Sequence, residues 1–343
     1  MKVPKVAVVI LNWNGEAMLR QFLPSVVQYS TEGTVVVADN GSDDGSARWV
    51  TQNCPSVIWL PLDRNYGFAE GYNRALSRLD AEYFVLLNSD VEVTEGWLVP
   101  LLTYMDAHPE VAACQPKLLS WYHRDRFEYA GGAGGFMDYL GYPFCRGRVM
   151  NSVETDSGQY DAPCSVFWAT GAALMIRRSD WLEAGGLDGS FFAHMEEIDL
   201  CWRLRSRGRK IVCIPASRVY HVGGATLHRE NPRKTFLNFR NNLLMIYKNV
   251  PEPSLQRVMR LRSLLDYVAM IKFLLTGDVK NARAVWQARQ AFRRLKPDYC
   301  AVRAENMKKR SVSHIPECMT KSLVLSYYLR RERTFTALMA DKR

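Results

Sequence analysis

The sequence predicts an α/β fold built on a doubly wound, mostly parallel sheet, and two observations support this class. Four short apolar runs rich in β-branched residues are typical of fully buried strands. Segments with helical spacing of apolar residues separate these runs, and the links are short. An alternation of strand and helix that begins and ends on a strand predicts parallel strands joined by right-handed crossovers.

The elements can be placed in order along the chain. The predicted strands cover residues 5–11, 34–38, 57–60 and 83–87, and the helices between them cover 16–29, 47–52 and 65–79, the last entered through a loop. Beyond residue 93 we expect a helix over 94–104 capped by Thr94, a strand over 111–119, an apolar strand region over 165–177, a helix capped by Ser179 or Asp180 and ended by Gly185–Gly186, and a strand over 210–215. From residue 236 the pattern is helical, with helices over 238–247, 255–275 and 279–295.

The stretch from Tyr83 to Val93 is the centre of the predicted fold. Its apolar run gives way at once to Asn88, Ser89 and Asp90, and open α/β sheets bind ligands beyond the carboxyl ends of their strands. Positions 88 and 90 point the same way, so an amide oxygen and a carboxylate can approach one hard cation. A nucleoside diphosphate bridged by Mg²⁺ or Mn²⁺ suits such a site. A simple β-turn is the alternative, because Asn, Ser and Asp are common turn residues.

A second strand end also carries an acidic residue. Asp39 directly follows the strand over 34–38, a position from which a carboxylate accepts hydrogen bonds from a base or a ribose. No G-x-G-x-x-G follows the first strand, and no G-x-x-x-x-G-K-[ST] occurs in the chain. These absences argue against a dinucleotide site and against a P-loop.

A third group of polar residues lies in the segment FFAHMEEIDLCWRLRSRG. In a helix, Glu196, Asp199 and Arg203 would share one face, and Glu197 would project from the first turn. Acidic residues near a helix N-terminus are favoured by the helix dipole, which is the structural interpretation. The functional interpretation is a general base that takes a proton from an acceptor hydroxyl.

Four segments together resemble a known family. VVILNWNG, VVVADNGSDDGS, NYGFAEGYN and FVLLNSD, in this order and spacing, resemble family-2 glycosyltransferases of the GT-A fold, in particular the rhamnosyltransferase-like branch that builds bacterial surface polysaccharides. The resemblance covers about residues 5–250. It implies a Rossmann-like GT-A catalytic domain with a nucleotide-binding half.

The resemblance also implies roles for residues of the nucleotide-binding half. It places Asn12 and Asp39 at the base and ribose, and it places Asn65, Gly67 and Asn73 along the diphosphate-sugar pocket. Turn and capping duty is the alternative for Asn65 and Asn73. Asn88 and Asp90 fill the DxD position of the family. The first Asp is replaced by Asn here, which weakens the case for a tightly bound metal.

The same resemblance assigns the carboxylates and a histidine. FFAHMEEIDLCWR is similar to the family's xED segment followed by D-x-x-x-R, which puts Glu197 at the base position, with Glu196 as the second candidate. Asp199 and Arg203 then belong to the substrate-binding segment. In related GT-A enzymes a histidine at the place of His221 reaches the metal. A structural role is the alternative for a lone histidine.

The implied activity is that of an inverting glycosyltransferase that uses Mg²⁺ or Mn²⁺. It would move a sugar from a nucleotide-diphosphate sugar to a hydroxyl of a glycan or lipid-linked acceptor. One rival is a sugar-1-phosphate nucleotidyltransferase, which would need a basic, Gly-rich phosphate loop where this chain has NWNGEAML. The other rival is a non-catalytic assembly protein on a membrane surface, which would leave the acidic site without a use.

The charge is distributed unevenly along the chain. The net charge is +10, but residues 1–200 contain 14 Lys and Arg against 26 Asp and Glu, whereas residues 201–343 contain 31 against 9. The basic helices over 255–295 carry Leu, Val and Met, a pattern typical of helices that lie on an anionic leaflet. A helical hairpin packed on the catalytic domain is the alternative. The acidic clusters make nucleic acid a poor partner.

Several broader expectations follow from the composition. We expect a catalytic domain over 1–250, with its nucleotide half at about 1–93 and its acceptor half at about 94–250, and a basic helical region over 251–343. No 18-residue uncharged apolar run is present. The chain is expected to be cytoplasmic and peripheral on the inner face of the cytoplasmic membrane.

Two further features bear on the fold. The eight cysteines form no C-x-x-C pair, which favours free, buried thiols in a reducing compartment. The Gly-rich stretch over 121–165 lies where acceptor-facing loops lie in the family. Its aromatic residues are expected either to stack on sugar rings or to cover an edge of the core; they are Phe136, Tyr139, Tyr142 and Phe144.

Overall fold

The computed structural model describes residues 5–223, 231–252 and 254–340. Within these ranges the chain forms one sheet of nine strands, a second sheet of five strands, and helices that cover the larger sheet. The strands are β1 (Val6–Asn12), β2 (Thr34–Asp39), β3 (Ile58–Pro61), β4 (Tyr83–Leu87), β5 (Val91–Val93), β6 (Val111–Ser120), β7 (Gly135–Asp138), β8 (Pro143–Cys145), β9 (Arg148–Val149), β10 (Ser152–Val153), β11 (Cys164–Ser165), β12 (Ala173–Arg177), β13 (Lys210–His221) and β14 (Cys318–Met319).

The helices alternate with the strands in the first third of the chain and dominate the last third. They are α1 (Glu16–Tyr29), α2 (Ser46–Asn53), α3 (Gly67–Leu76), α4 (Leu98–Ala107), α5 (Arg178–Ala184), α6 (Glu196–Ser206), α7 (Pro232–Asn249), α8 (Ser254–Leu275), α9 (Val279–Leu295), α10 (Cys300–Lys309), α11 (Leu323–Tyr328) and α12 (Phe335–Met339), with short 3-10 turns over Gly189–Phe191 and Lys296–Tyr299.

The larger sheet has the predicted doubly wound order at its centre. The strand order is β11-β13-β6-β12-β4-β1-β2-β3, and β5 pairs with the end of β13. The strands β1 to β4 are mutually parallel, as predicted. Strand β12 runs antiparallel between β4 and β6. The chain leaves β1 on one side for β2 and β3 and returns on the other side as β4, so the topological switch point lies between β1 and β4.

Strand β1, near the middle of the larger sheet, is buried on both faces. Val6, Val8 and Ile10 belong to one hydrophobic cluster with residues of α1 and α4, whereas Ala7 and Val9 belong to a second cluster with residues of α3, α6 and α7. Successive side chains of a strand point to opposite faces. The sheet is therefore a layer between two layers of helices, and only the ends of its strands are left for a ligand.

Two predicted helix caps are wrong. The hydroxyl of Thr94 donates to the carbonyl of Arg218, because the chain before it forms β5 and pairs with β13; helix α4 starts only at Leu98. Ser179 and Asp180 lie inside the first turn of α5, which starts at Arg178. Apolar spacing located both helices but could not locate their first residues.

The Gly-rich stretch forms most of the second sheet instead of an open loop. Phe136 and Phe144 are buried and face each other and Phe335 of α12. Tyr142 lies under the guanidinium of Arg262, 3.9 Å from its ring centre. The expectation that these aromatic rings stack on sugars is thus wrong for the two phenylalanines, which cover the core.

The last third of the chain is helical, as predicted, and packs back on what precedes it. Arg303 donates to the carbonyls of Tyr247 and Val250, and β14 adds a strand to β7. Helix α8 buries one side, yet it exposes apolar side chains along the other, at Leu264, Val268, Ile271 and Leu275. Packing and an exposed apolar face therefore coexist in this region.

Two expectations from composition agree with the structure. Cys54, Cys114, Cys145, Cys201 and Cys213 are buried free thiols. Within the described ranges, none of the helices has the length and apolar character needed to cross a membrane.

Candidate active site

The carboxyl ends of β1 and β2 carry a compact polar cluster. The amide of Asn12 donates to Asp39 Oδ1 and to the hydroxyl of Ser42, each at 3.1 Å. Asp39 also accepts the Ser42 hydroxyl and its backbone N–H. Asn12 and Asp39 are both nearly inaccessible. Because these bonds connect neighbouring strand ends, the cluster is fixed by local structure alone.

The start of α3 forms the next part of this edge. Asn65 accepts the backbone N–H of Gly67 at 2.8 Å and the amide of Asn40 at 3.1 Å, and Asn40 also donates to the Gly67 carbonyl. Gly67 has φ of +78°, and a Cβ there would lie 2.5 Å from the ring of Phe192. A glycine is required for both reasons. Asn65 thus performs the turn and capping duty weighed for it.

Asn73 is tied to the backbone of another segment. Its amide donates to the carbonyl of Leu187 at 2.8 Å, and its oxygen accepts the Leu187 N–H at 2.9 Å. Both polar ends of the side chain are therefore used to join α3 to the turn after α5.

The end of β4 faces the end of β13. His221 Nε2 lies 3.1 Å from Asp90 Oδ1 and 3.3 Å from the amide nitrogen of Asn88. On the other side of the ring, Nδ1 lies 3.5 Å from a carboxylate oxygen of Glu128. The pairing of β5 with β13 brings these residues together, since it aligns Val91 with His221.

The electrostatics of this group are dominated by mutual charge. Burial alone would lower the pKa of His221, but the carboxylates of Asp90 and Glu128 raise it to about 10. Burial opposes the ionised form of Asp90, yet the charge and hydrogen bond of His221 outweigh it and lower the pKa of that carboxyl. The pair is therefore an ion pair at neutral pH.

A carboxylate, an imidazole and an amide at one strand end fit a divalent cation only in part. Among the described residues, no group of three or more His, Cys, Asp and Glu side chains forms a complete metal site. Mg²⁺ is usually bound by one or two protein carboxylates together with substrate phosphates and water. The residues present fit a cation that shares its coordination with a diphosphate.

The approach to α6 has an unusual backbone. Phe192, His194 and Met195 have φ of 64°, 72° and 74°, values that non-glycine residues seldom adopt. We call residues 191–195 the entry turn. It leads directly into Glu196 and Glu197, so its conformation decides where both carboxylates point.

The entry turn is held by helix α7. The buried amide of Asn241 donates to the carbonyls of Phe191, Ala193 and His194 at 2.9, 2.9 and 2.7 Å. The adjacent Arg240 donates to the Phe191 carbonyl and to that of Ser190. Backbone strain at such a site persists only where the surroundings enforce it. Here α7 supplies most of the enforcing bonds, and the backbone N–H groups of Phe68 and Ala69 in α3 donate to the Phe192 carbonyl at 2.7 and 3.2 Å.

The two carboxylates differ from ordinary surface glutamates. Burial, with the neighbouring Glu197 as the next cause, raises the pKa of Glu196 well above its usual value. Burial raises the pKa of Glu197 to about 7, while backbone N–H groups, including that of Gly171, oppose the rise. Oε2 of each glutamate and Nε2 of His194 are buried without a hydrogen-bond partner among the described residues.

Glu197 is brought close to the end of β4 by a short shared segment. A Cβ on Gly171 would lie 3.6 Å from Cβ of Glu197, and the next residue, Ala172, accepts the backbone N–H of Asn88 at 2.9 Å. The carboxylate of Glu197 and the Asn88–Asp90 turn therefore flank the same two-residue segment.

Asp199 and Arg203 lie in an internal ion network. Asp199 accepts from Arg203, Lys248 and Asn249, and Arg203 donates to the carbonyls of Ala184 and Gly186. Both residues are buried. In this structure they join α6 to α7 and α5, and their polar atoms are used within the protein.

Three residues of the site were not predicted from the sequence: Asn40, Glu128 and Asn241. Asn40 follows Asp39 in a segment rich in turn residues, so the sequence does not distinguish it from an ordinary turn residue. Glu128 and Asn241 reach the site from segments far away in the chain. The only signal for Asn241 is a pair of polar residues, Asn241 and Asn242, inside an otherwise apolar helical pattern.

Comparison with known families decides the class of protein. The family described as glycosyl transferase family 2 matches residues 7–148, the part that contains Asn12, Asp39, Asn88 and Asp90.

Residues 7–148 form a glycosyl transferase family 2 domain.

A curated relative agrees with this assignment, and two solved structures share the fold. The N-acetylglucosaminyl-diphospho-decaprenol L-rhamnosyltransferase of Mycobacterium tuberculosis is 29% identical over 231 residues, which cover 62% of this glycosyltransferase and 75% of that relative. S. aureus TarS 1-349 in complex with UDP-GlcNAc matches with a TM-score of 0.54 at 15% identity, covering 89% of each chain. The mannosyltransferase PcManGT from Pyrobaculum calidifontis, in complex with GDP-Man and Mn²⁺, matches with a TM-score of 0.51 at 15% identity, covering 90% of this chain and 86% of that one.

These findings confirm three predictions. The protein is a glycosyltransferase with a rhamnosyltransferase-like sequence, and its fold is the GT-A fold with a helical C-terminal part. Neither the nucleotidyltransferase nor the non-catalytic assembly protein is favoured.

Proposed function

We propose that this glycosyltransferase moves a sugar, with inversion, from a nucleotide-diphosphate sugar to a hydroxyl of a lipid-linked or other glycan acceptor in the synthesis of a cell-surface polysaccharide. The observation that carries the proposal is the pairing of two chemistries. A carboxylate with a pKa near neutrality, Glu197, and a polar strand end, Asn88 to Asp90, flank one short segment.

The donor would bind at the carboxyl ends of β1 and β2. Asp39 accepts hydrogen bonds and is the residue for the ribose, while Asn12 beside it has a buried amide oxygen with no partner among the described residues. Asn65, Gly67 and Asn73 would shape the wall of the diphosphate-sugar pocket through the backbone they fix. The proteins with related folds were solved with UDP-GlcNAc and with GDP-Man, which supports a nucleotide-sugar donor.

Asp90, His221 and the amide of Asn88 would hold Mg²⁺ or Mn²⁺ together with the donor diphosphate. The imidazole would bind the cation in its neutral form, so binding would release the proton that His221 carries in the ion pair with Asp90. When bound, such a cation neutralises the charge of the leaving diphosphate. PcManGT was solved with Mn²⁺, and this supports use of a divalent cation here.

Glu197 would take the proton of the acceptor hydroxyl. General bases work best when their pKa lies near the operating pH, and the pKa of Glu197 is raised to about 7. Glu196 is the second candidate, but its carboxyl is more strongly held in the neutral form. The acceptor oxygen then attacks the anomeric carbon opposite the leaving diphosphate, so the sugar is inverted.

The acceptor and the place of action are inferred from a relative and from charge. The rhamnosyltransferase of M. tuberculosis is named for a diphospho-decaprenol acceptor, which supports a lipid-linked acceptor here. Residues 201–343 have a large basic excess, and each basic residue near an anionic leaflet contributes about 1 kcal/mol. We therefore propose a cytoplasmic enzyme attached to the inner face of the membrane.

One assay tests the proposed activity. The full chain is incubated with a panel of nucleotide sugars, and the released nucleotide diphosphate is measured with and without EDTA. We expect release from a small subset of donors, loss of release in EDTA, and loss of most turnover in Asp90→Ala. Full activity in excess EDTA would refute the metal role, and no release from any donor would refute the activity.

Attachment to membranes is tested by sedimentation. The protein should pellet with anionic liposomes at low salt and leave them as salt rises, because the attraction is screened. Indifference to anionic liposomes at every ionic strength would show that the basic region is only solvated.

A further inference from the structure

A groove lies between α7, α8 and α9. It consists of two cavities of about 270 and 670 Å³, and Trp286 of α9 lines both. The smaller is lined by Met270, Leu274, Val279, Ala282, Arg283 and Trp286, and the larger by Phe236, Trp286, Gln287, Gln290 and Arg294. We call this feature the α9 groove.

The α9 groove combines an apolar floor with positive charge and has no acidic lining residue. Trp286 and Val279 are 51% and 61% exposed, although burying an aromatic or branched side chain normally stabilises a protein. Exposed apolar surface bordered by polar residues marks an interaction site. Arg283 in the smaller cavity and Arg294 in the larger one favour an anionic partner.

The α9 groove leads toward the proposed base. Phe236 in its larger cavity lies on the same face of α7 as Arg233 and Arg240, which are three residues before it and four after it. The guanidinium of Arg233 lies 4.9 Å from the ring centre of Phe192, and Arg240 donates to the carbonyl of Phe191 at 3.1 Å. The inner end of the groove thus adjoins the entry turn.

We propose that the α9 groove binds the carrier of the acceptor, an isoprenoid chain with a phosphorylated head. The hydrocarbon lies against Trp286 and Val279, and the phosphates pair with Arg283 and Arg294. The glycan then extends past Phe236 toward Glu197. This inference rests on the proposed lipid-linked acceptor and adds the surface that recognises it.

Direct binding tests the groove without any turnover. Farnesyl diphosphate, farnesol and inorganic diphosphate are titrated into the full chain and followed by calorimetry. We expect farnesyl diphosphate to bind about tenfold more weakly to Trp286→Ala and to Arg294→Gln than to the wild type. Farnesol has no phosphate, so its affinity should fall in Trp286→Ala and stay unchanged in Arg294→Gln. Leu182→Ala, which changes a residue of similar exposure (58%) on α5, is the matched control.

Equal affinity of farnesyl diphosphate for wild type and Trp286→Ala would overturn the proposal. So would a loss of equal size in Leu182→Ala. Because Trp286 is half exposed, its replacement should leave the melting temperature within a few degrees of the wild type, and thermal melts check that the variant is folded.

Kinetics then separate carrier binding from general membrane attachment. In Trp286→Ala, KM for a lipid-linked acceptor should rise about tenfold more than KM for the same glycan without the lipid. An equal rise for both acceptors would overturn the proposal. Reduced pelleting with carrier-free anionic liposomes, combined with unchanged affinity for farnesyl diphosphate, would also overturn it. If the wild type releases no nucleotide from any donor, the proposed function fails, and the farnesyl diphosphate titration still decides the groove.

Discussion

The donor edge and the entry turn hold their polar groups in different ways. The name donor edge refers to the carboxyl ends of β1, β2 and β4, with Asn12, Asp39, Ser42 and the Asn88–Asp90 turn. At the donor edge, Asn12, Asp39 and Ser42 bond to one another within short loops. At the entry turn, His194 and both glutamates keep buried polar atoms with no partner among the described residues. A buried polar atom without a partner costs free energy. The donor edge is therefore largely assembled before substrate arrives, with the Asn12 amide oxygen left without a partner among the described residues. The entry turn and the glutamates after it leave three such atoms, so they gain more when an acceptor supplies the missing bonds.

The source of rigidity also differs between the two regions. The donor edge is fixed by loops that directly follow β1, β2 and β4. The entry turn has three non-glycine residues at positive φ, each costing on the order of 1–3 kcal/mol. It depends on side chains of α7, together with two backbone N–H groups of α3, to keep them there. Changes in the last third of the chain should therefore damage the base before they damage the donor edge.

The largest effect is expected from ending the chain after residue 250. The missing part covers Phe136 and Phe144 through Phe335 and pairs Arg205 with Glu317. Its loss exposes core and leaves a buried arginine unpaired, which typically costs several kcal/mol. We expect an aggregating product without a cooperative thermal transition.

The full chain with Leu325→Ser, a substitution at a residue 52% exposed, controls for changes that only alter the surface of the same region. A soluble product of residues 1–250 that melts cooperatively and binds donor would contradict the prediction, and it would mean that residues 251–343 are not needed to hold the fold of either region.

The next largest effect concerns the base itself. Glu197→Gln keeps the shape of the side chain and removes its basicity, so kcat should fall by roughly 10²–10⁴ while donor affinity stays near that of the wild type. The base must be ionised to work, and its pKa is raised to about 7. The rate of the wild type should therefore rise with pH through about 7, and this limb should vanish in the variant.

Glu196→Gln is the matched control for that experiment. If it loses the larger part of kcat and the pH limb while Glu197→Gln retains them, the base is Glu196.

A smaller effect is expected at the positioning residue of the entry turn. Asn241→Ala removes the donor to three carbonyls, so kcat should fall by about tenfold or more while donor affinity is unchanged. Each bond contributes at least about 0.5 kcal/mol, and about 1.4 kcal/mol corresponds to a factor of ten in rate. The midpoint of the pH limb should also move down toward the usual value of a glutamate, because a looser turn admits water to Glu197.

Asn238→Ala, at a partly buried asparagine on the same helix, is the control. If the pH dependence of kcat is unchanged in Asn241→Ala and the affinity for donor falls instead, Asn241 supports the donor edge. The two regions would then not be held by different parts of the chain.

The smallest effect is expected at the donor edge, from Asn88→Asp. A second carboxylate beside Asp90 restores the family's DxD pattern, and it should tighten Mn²⁺ binding severalfold in the presence of nucleotide diphosphate, since added carboxylates strengthen the binding of hard cations. Titration followed by electron paramagnetic resonance measures it. An unchanged titration would make Asn88 a turn residue and not a ligand.

The first four strands could be predicted from sequence because their information is local. Helix α1 begins and ends at the predicted residues, and β1 to β4 lie within one residue or so of prediction. Buried parallel strands are continuous apolar runs, and polar residues at their ends must lie at one edge. Asp39, Asn88 and Asp90 are found at that edge for this reason.

The features that could not be predicted depend on contacts between residues far apart in the chain. Strand β5 is three residues long and exists because β13 passes beside it. Glu128 approaches His221 only through folding of the Gly-rich stretch, and Asn241 approaches the entry turn only through packing of α7 on α6. Asp199 and Arg203 have the right spacing for a shared helix face, but spacing cannot distinguish a face turned to substrate from one turned to Lys248.

The pairing of β14 with β7 has a consequence for synthesis of the protein. Met137 pairs with Cys318, so the second sheet waits for a strand translated roughly 180 residues later, or about 10–40 s at ordinary elongation rates. During that interval β1 to β4 can pair with one another, because all four strands have already been translated. Phe136 and Phe144 pack on Phe335, which is translated much later, so their rings stay exposed in nascent chains of intermediate length. We expect such chains to bind chaperones.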